Sequence, residues 1–438
     1  MRVAVIGSGI AGLAAAHQLR GHAQLTLFEA NNYFGGHTHT VDLTLPGSDG
    51  PVTHGVDTGF LVFNERTYPR LIALLAELGV PSAPSEMSFS VQVAQGSTTE
   101  PLEWSGSSLA TVFAQRRNLL RPAFWGMLRD IMRFNALTTR LALGQPEAAL
   151  QQPLGEFLLQ ERFGQAFCQW YFLPMMACIW SCPTRQMLQF PVATMIRFCH
   201  NHGLLQVRDR PQWHTVRGGA RQYVQRIVDG IVDKRLGTAV RRIERRDGGI
   251  LVSTDKGTEY FDRAIIAVHS DQALRLLQDP TAQESATLGA IQYHSNRAVL
   301  HTESAVLPAR KSAWAAWNYE RAAPRPGANG QDEAQVCLHY LLNLLQPLPW
   351  AQPVVVSLNP LRPIAPQHVL GEFQYAHPVF DLQAIEAQTR LAQLQGYGGT
   401  YYCGAWTAYG FHEDGLKSGE AAARQLLDQD TLQQRQAA

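Results

Sequence analysis

The chain opens on a short apolar run at residues 3–6, the pattern of a strand buried on both faces. A helix-forming stretch rich in leucine and alanine follows at 13–19, and a second apolar run at 25–28 ends in Glu29. Later, residues 222–228 read as helix, and 239–243, 250–253 and 264–268 read as strands. Residues 401–406 read as a last buried strand and turn, before a small-residue helix that opens after Gly410. Two long stretches between these pieces have a different character. Residues 85–203 are mostly helical in pattern, most clearly at 151–172 and 191–202. Residues 291–395 read as strands at 297–301, 336–340 and 354–358. A loop rich in Pro, Gly and Asn is expected at 322–334, and the Gln-rich tail after Leu427 is expected to fray. No internal repeat is visible.

Between the first strand and the first helix stands Gly7-Ser8-Gly9-Ile10-Ala11-Gly12. Strand, glycine turn, helix, strand and acid, in that order, are what a dinucleotide phosphate site requires. Gly7 allows the tight turn, Gly9 lets the backbone approach a pyrophosphate, and Gly12 lets the helix pack on the sheet. Ser8 and Ala11 belong to the same loop, whose helix N-terminus supplies N–H donors and partial positive charge. Glu29 can accept both ribose hydroxyls. A glycine turn of purely structural origin is the alternative; the flanking strands and the acid favour an adenine dinucleotide.

The bulk composition narrows this picture. A net charge of +1 over 438 residues gives no pointer to nucleic acid. The six cysteines, at 168, 178, 182, 199, 337 and 403, are scattered among apolar neighbours. They read as free thiols in a reducing cytoplasm rather than as zinc ligands. No histidine pair has metal spacing with a carboxylate, so no metal site is expected. The apolar stretch 170–180 is too short to span a bilayer and carries a proline. The first strand begins at residue 2, leaving no room for a cleaved leader, so a cytoplasmic location is expected. The helical insert carries Arg116, Arg117, Arg121, Arg129, Arg133 and Arg140, interleaved with apolar residues. Such a segment fits peripheral contact with the inner face of an anionic membrane, or a solvated face over a substrate cap.

The residues after Glu29 carry a resemblance. Gly35-Gly36-His37, the stretch from Gly404 to Trp406, and the run from Gly410 to Ala423 resemble motifs of the flavin-containing amine oxidase superfamily. The strings at 56–69, 87–90, 179–181, 198–203, 375–378 and 410–415 narrow it to a bacterial family of predicted NAD/FAD-binding proteins. Genes of that family are often found beside cyclopropane-fatty-acid-synthase-like methyltransferases. The resemblance implies an α/β fold: a discontinuous Rossmann-type FAD-binding domain at 1–84, 204–290 and 396–438, with a mixed α+β substrate domain from 85–203 and 291–395. It implies FAD as cofactor, with contacts from Gly36, His37, Gly59, Gly404, Gly415 and Leu416, and from Val240 to the adenine. His37 stands where the superfamily has a cofactor-reaching arginine. Phe411 takes the place of a substrate-cage aromatic, and His412 the adjoining cofactor-contact position. Phe60, Trp180 and Trp406 are expected to border the flavin, with His412 or Glu413 as candidate proton acceptor. The lysine that amine oxidases carry in the strand opening the substrate domain is missing from 293–299. The implied activity is hydride removal from, or isomerisation of, an unsaturated or methyl-branched fatty acyl chain. Oxidation of a primary or secondary amine and a non-catalytic flavin-binding module are the alternatives.

Overall fold

The computed structural model describes the chain except residues 95–99, 145–149, 181–186, 204–210, 323–324, 327–331, 334 and 438. The strand Arg2–Ile6 is buried along four of its five residues, and it lies at the centre of a five-stranded parallel sheet. Across the sheet the order is Asp233–Arg235, Gln24–Phe28, Arg2–Ile6, Arg263–Ile266 and Thr400–Tyr402, so three separated parts of the chain build one nucleotide-binding layer. The strand order reverses beside Arg2–Ile6, the position at which open α/β sheets bind ligands beyond their strand ends.

The helix Ile10–Leu19 buries Ile10 through Ala16 and Leu19, as a helix apolar nearly all round must. It packs against the closing helix His412–Ala437. A Cβ on Gly419 would overlap the Ala11 carbonyl, and one on Gly415 would meet Ile10 at 2.7 Å, so glycine at both positions permits the close approach. The closing helix continues to Ala437, so the tail expected to fray after Leu427 is helical instead.

A seven-stranded sheet forms the second layer, in the order Val369–Val379, Gln292–His301, Val355–Leu358, Val336–Leu341, Trp317–Arg321, Phe89–Val93, Leu102–Ser105. Its last two strands come from the stretch expected to be mostly helical. Phe89–Val93 joins by parallel pairing to Trp317–Arg321, a long-range contact that local periodicity does not encode. The rest of that stretch supplies the helices Pro122–Gly144, Leu154–Gln160, Leu173–Trp180 and Val192–Asn201 around an aromatic cluster. Cys182, Ser181 and most of the loop expected at 322–334 lie outside the described residues, as does the side chain of Cys178. Cys168, Cys199, Cys337 and Cys403 are free thiols. Among the described residues no helix is long and apolar enough to cross a membrane.

Candidate active site

The turn after the first strand has the properties its three glycines require. Gly7 has φ of +99°, a Cβ on Gly12 would overlap the Gly7 carbonyl oxygen, and a Cβ on Gly9 would meet nothing within 4 Å. Gly9 therefore leaves open backbone at the N-terminus of the helix Ile10–Leu19, where an anion gains from unpaired N–H groups and the helix dipole. At the end of the next strand Glu29 is buried. Its Oε2 accepts the Ser8 N–H at 3.0 Å and the Ser8 hydroxyl, and its Oε1 accepts the Asn31 N–H at 2.9 Å. The Thr238 N–H donates to the Glu29 carbonyl at 2.7 Å, bringing the start of the strand Val240–Arg246 to the acid.

The second glycine pair closes over this cradle. The Gly35 N–H donates to the Ser8 hydroxyl at 3.1 Å, and Gly36 turns back at φ +59° against the Gly9 backbone. A Cβ on Gly59 would overlap the His37 carbonyl, which accepts the Phe60 N–H at 2.8 Å. Gly59 thus acts by seating His37. The His37 Nε2 is buried and has no partner within the protein. Its ring lies 5.2 Å from that of Tyr375, 5.3 Å from that of His377 and 6.0 Å from that of His269. Burial holds His37 well below the ordinary histidine range and His377 at about 4. His377 Nδ1 accepts from the Asn296 amide at 2.9 Å, and Asn296 sits in the lysine-free strand Gln292–His301. A group of histidines, His37, His269 and His377, therefore lies together beside the lysine-free strand.

The closing helix corrects two expectations. Glu413 is 3 % exposed, and its two oxygens accept the backbone N–H groups of Arg70 and Leu71, each at 3.0 Å. These are first-turn donors of the helix Pro69–Glu77, which has no side-chain cap of its own. Glu413 is a capping residue with Lys417 at 3.2 Å, not a free proton acceptor. His412 is stacked on Phe60 at 3.7 Å, its Nε2 bonded to the Tyr223 hydroxyl at 2.7 Å. Burial takes it down to about 3, too weak a base to hold an abstracted proton at neutral pH. Its position beside Phe60 fits the cofactor-contact reading. Asp414 accepts the Phe411 N–H at 3.0 Å and so caps the closing helix from within.

Trp406 corrects a third. It is 2 % exposed, packs in the nucleotide-domain core with Ile6, Ile266 and Tyr402, and donates its indole N–H to the Val268 carbonyl at 3.1 Å. A position in the core under the sheet removes it from the substrate side. Leu416 and Ala11 are likewise buried in the core, on the two packed helices. Gly404 is tied to the closing helix through Ser418, whose hydroxyl accepts the Gly404 N–H at 2.9 Å.

Phe411 points the other way, into the helical insert. It stacks on Phe198 at 4.6 Å, lies 6.1 Å from Trp180 and 5.5 Å from His202. Phe198 also stacks on His202, and Trp180 packs on Phe190. His202 is held at about 4 by burial and donates its Nδ1–H to the Phe198 carbonyl at 3.0 Å. The structure thus brings Trp180 and Phe411 together, and Phe60 and His412 together, while Trp406 stands apart from both. Sequence reading missed Tyr223, Thr58, Tyr375, His269 and Asn296. Tyr223 bridges His412 to the Thr38 hydroxyl, and the Thr58 and Tyr375 hydroxyls bond at 2.7 Å. These residues are spread from position 58 to 375, and no local pattern links them; the density of histidine was the one available signal.

An open backbone at Gly9, a buried acid one strand later, two converging helix N-termini and an unpartnered buried His37 nitrogen fit a dinucleotide cofactor. Fold and site are those of a dinucleotide-binding α/β protein. The sequence profile of flavin containing amine oxidoreductases matches residues 10–318, and the chain belongs to that family, which implies FAD as its cofactor. It is similar to a Mycobacterium tuberculosis (strain H37Rv) protein named as a flavin-containing monoamine oxidase, with 26 % identity over 292 residues, 64 % of this chain. The match spans 59 % of the length of that curated relative. Among solved structures it resembles cyclohexylamine oxidase from Brevibacterium oxydans IH-35A, with a TM-score of 0.66, 16 % identity and coverage of 98 % of this chain and 99 % of that one. It resembles a CLA-producing fatty acid isomerase from P. acnes to a similar degree, with a TM-score of 0.64, 14 % identity and coverage of 97 % and 98 %. Likeness at this identity establishes the fold.

Proposed function

We propose that the protein is a FAD-dependent oxidoreductase acting on an unsaturated or methyl-branched fatty acyl chain. The observation that carries this reading is the wall of Phe411, Phe198, Trp180, Phe190 and Phe380, continuous with the apolar core of the helical insert. Among the described residues, the buried polar groups of the helix Val192–Asn201 and its cap are Thr194 and the neutral His202, with no buried carboxylate to pair a cationic substrate. An apolar wall binds a hydrocarbon chain and excludes water from it.

FAD, when bound, supplies a hydride acceptor. The chain's own groups then determine the outcome. His412 is too weak a base to keep a substrate proton at neutral pH, and both Glu413 oxygens are engaged by backbone N–H groups, which favours a reaction that leaves the hydrogen count of the substrate unchanged, as isomerisation does. The strand Gln292–His301 carries no lysine, and its Asn296 bonds the neutral His377; this argues against the amine-oxidation reading. That second reading draws support from the named function of the mycobacterial relative.

Anaerobic mixing of the purified flavoprotein with fractionated cell lipids and, separately, with a panel of amines tests the proposal. Conjugated-diene absorbance with lipid is the expected result, and a flavin band that ends oxidised marks isomerisation. Bleaching by amines alone would reject the acyl reading. Phe411→Ala should keep FAD and lose turnover; unchanged cellular function with a non-reducible flavin analogue would instead favour a non-catalytic module.

A further inference from the structure

The helix Pro122–Gly144 has two unlike faces. Its inner face buries Phe124, Met127, Phe134 and Thr138, and Phe134 packs on Phe163, Phe167 and Phe172 of the aromatic cluster that reaches Phe411. Its outer face carries Trp125, Arg129, Met132, Ala136, Arg140 and Leu143, all exposed and spaced three or four residues apart along one stripe. The turn Arg116–Leu120 extends that face: the Trp125 indole N–H donates to the Leu119 carbonyl at 2.9 Å, fixing the ring beside Leu119.

Two independent features mark this surface. Among the described residues, thirteen large apolar side chains are exposed, and six of them (Leu109, Leu119, Leu120, Trp125, Met132 and Leu143) fall within these 35 residues. Leu120 is 86 % exposed and Leu109 80 %, far more than packing under a solvated cap requires. Charge is segregated in the same place. Residues 104–144 hold six arginines and a single acid, Asp130, in a chain with 37 basic and 36 acidic residues overall. Asp130 is buried and accepts the Gly164 N–H at 2.9 Å. Arg117 pairs with Glu100, and Arg133 reaches the Glu161 carbonyl and lies over Phe163. Arg129 has 81 % of its side chain exposed, and it, Arg116 and Arg140 face outward from the stripe and its adjoining turn.

We propose that this face, from Leu109 to Leu143, docks on an anionic lipid bilayer, with arginines at the headgroup phosphates and Trp125, Leu119 and Leu120 entering the interface. Exposed apolar side chains interleaved with arginines, of which Arg129 also lies 3.9 Å from the buried Asp130 carboxylate, suit that boundary, which offers negative charge and hydrocarbon a few ångströms apart. A soluble polyanion would use the arginines and leave the leucines and Trp125 in water. The inner face of the same helix walls the aromatic cluster, so docking sets the substrate side of the protein toward a source of acyl chains. The proposal rests on the acyl reading for its purpose, while its chemistry stands on the surface alone.

The test is sedimentation of the full-length FAD-loaded protein with vesicles of phosphatidylcholine, with and without phosphatidylglycerol, at low and high salt. Binding to the anionic vesicles that weakens with salt is expected. Arg116→Gln, Arg129→Gln and Arg140→Gln together should weaken it roughly a hundredfold, about fivefold per arginine. Trp125→Ser should weaken it with the flavin spectrum unchanged, and Arg242→Gln with Arg246→Gln, on the nucleotide-domain hairpin, should leave it intact. Equal binding to neutral vesicles, wild-type binding by the triple variant, or retention by heparin with none by vesicles would overturn the proposal. No turnover enters this measurement, so a protein that forms dienes in detergent yet ignores vesicles would overturn docking alone.

Discussion

The cofactor end and the substrate end of this molecule are built by different means. Around Gly7, Gly12 and Gly419 the backbone itself is the material: the first and last helices approach so closely that a methyl group would overlap a carbonyl. Around Phe411 the material is mainly side chains, with aromatic rings 4 to 6 Å apart, and one glycine, Gly410 at φ +89°, leaves room for the Phe380 ring. A backbone-built site tolerates almost no substitution and holds an invariant ligand. A side-chain-built wall can change its shape by repacking, which suits it to set specificity.

The sharpest way to break this contrast is Gly419→Val. It should cost about 3 kcal/mol or more by forcing the two helices apart, seen as lost FAD and a lowered thermal midpoint; a yellow protein of unchanged stability would refute the backbone account. Glu29→Ala should weaken FAD binding by about 2 kcal/mol, read by titrating the apoprotein, without disturbing the aromatic wall. Acid sensitivity should follow the buried histidines of both ends. His202 and His377 sit at about 4 in the folded protein against an ordinary value of about 6.5. Between those values the unfolded chain binds more protons, so the contribution of these two histidines to stability should be flat above about pH 6.5 and fall as pH drops toward 4. His202→Gln should lessen that slope by about 1.4 kcal/mol per pH unit, measured by denaturant unfolding across pH. The smallest effect belongs to Glu413→Ala: loss of the cap on Pro69–Glu77 should cost about 1 kcal/mol of stability, with the pH profile of turnover unchanged. A fall in turnover of a hundredfold or more at unchanged stability would restore Glu413 as a proton acceptor.

The same division explains what could be read from sequence. Gly7, Gly9, Gly12 and Glu29 were legible because turn geometry and strand ends are local, and their roles depend on neighbours fewer than thirty residues away. The small-residue closing helix was legible for the same reason. Glu413 was misread because its partners, the N–H groups of Arg70 and Leu71, are over 340 positions distant. Trp406 was misread because an aromatic next to a cofactor motif looks the same in sequence whether it faces the core or the cleft. The strand Phe89–Val93 was hidden because its partner Trp317–Arg321 is far along the chain, and Leu102–Ser105 reaches the sheet only by pairing with Phe89–Val93. His37, His269 and His377 converge only through tertiary packing, after strand pairing sets His377 opposite His294.

The packing of Gly419 on Ala11 has a consequence for the order of events on the ribosome. The helix Ile10–Leu19 leaves the exit tunnel early, while its partner His412–Ala437 is still to be made. At about 5–20 residues per second, the apolar flank of the first helix stays bare for roughly 20–80 seconds. Throughout that interval the nascent chain offers a nearly complete nucleotide turn with one wall missing. Chaperones that bind exposed small apolar helices have a long window in which to act, and translation that stops before residue 412 releases a product that has no means of closing the cradle.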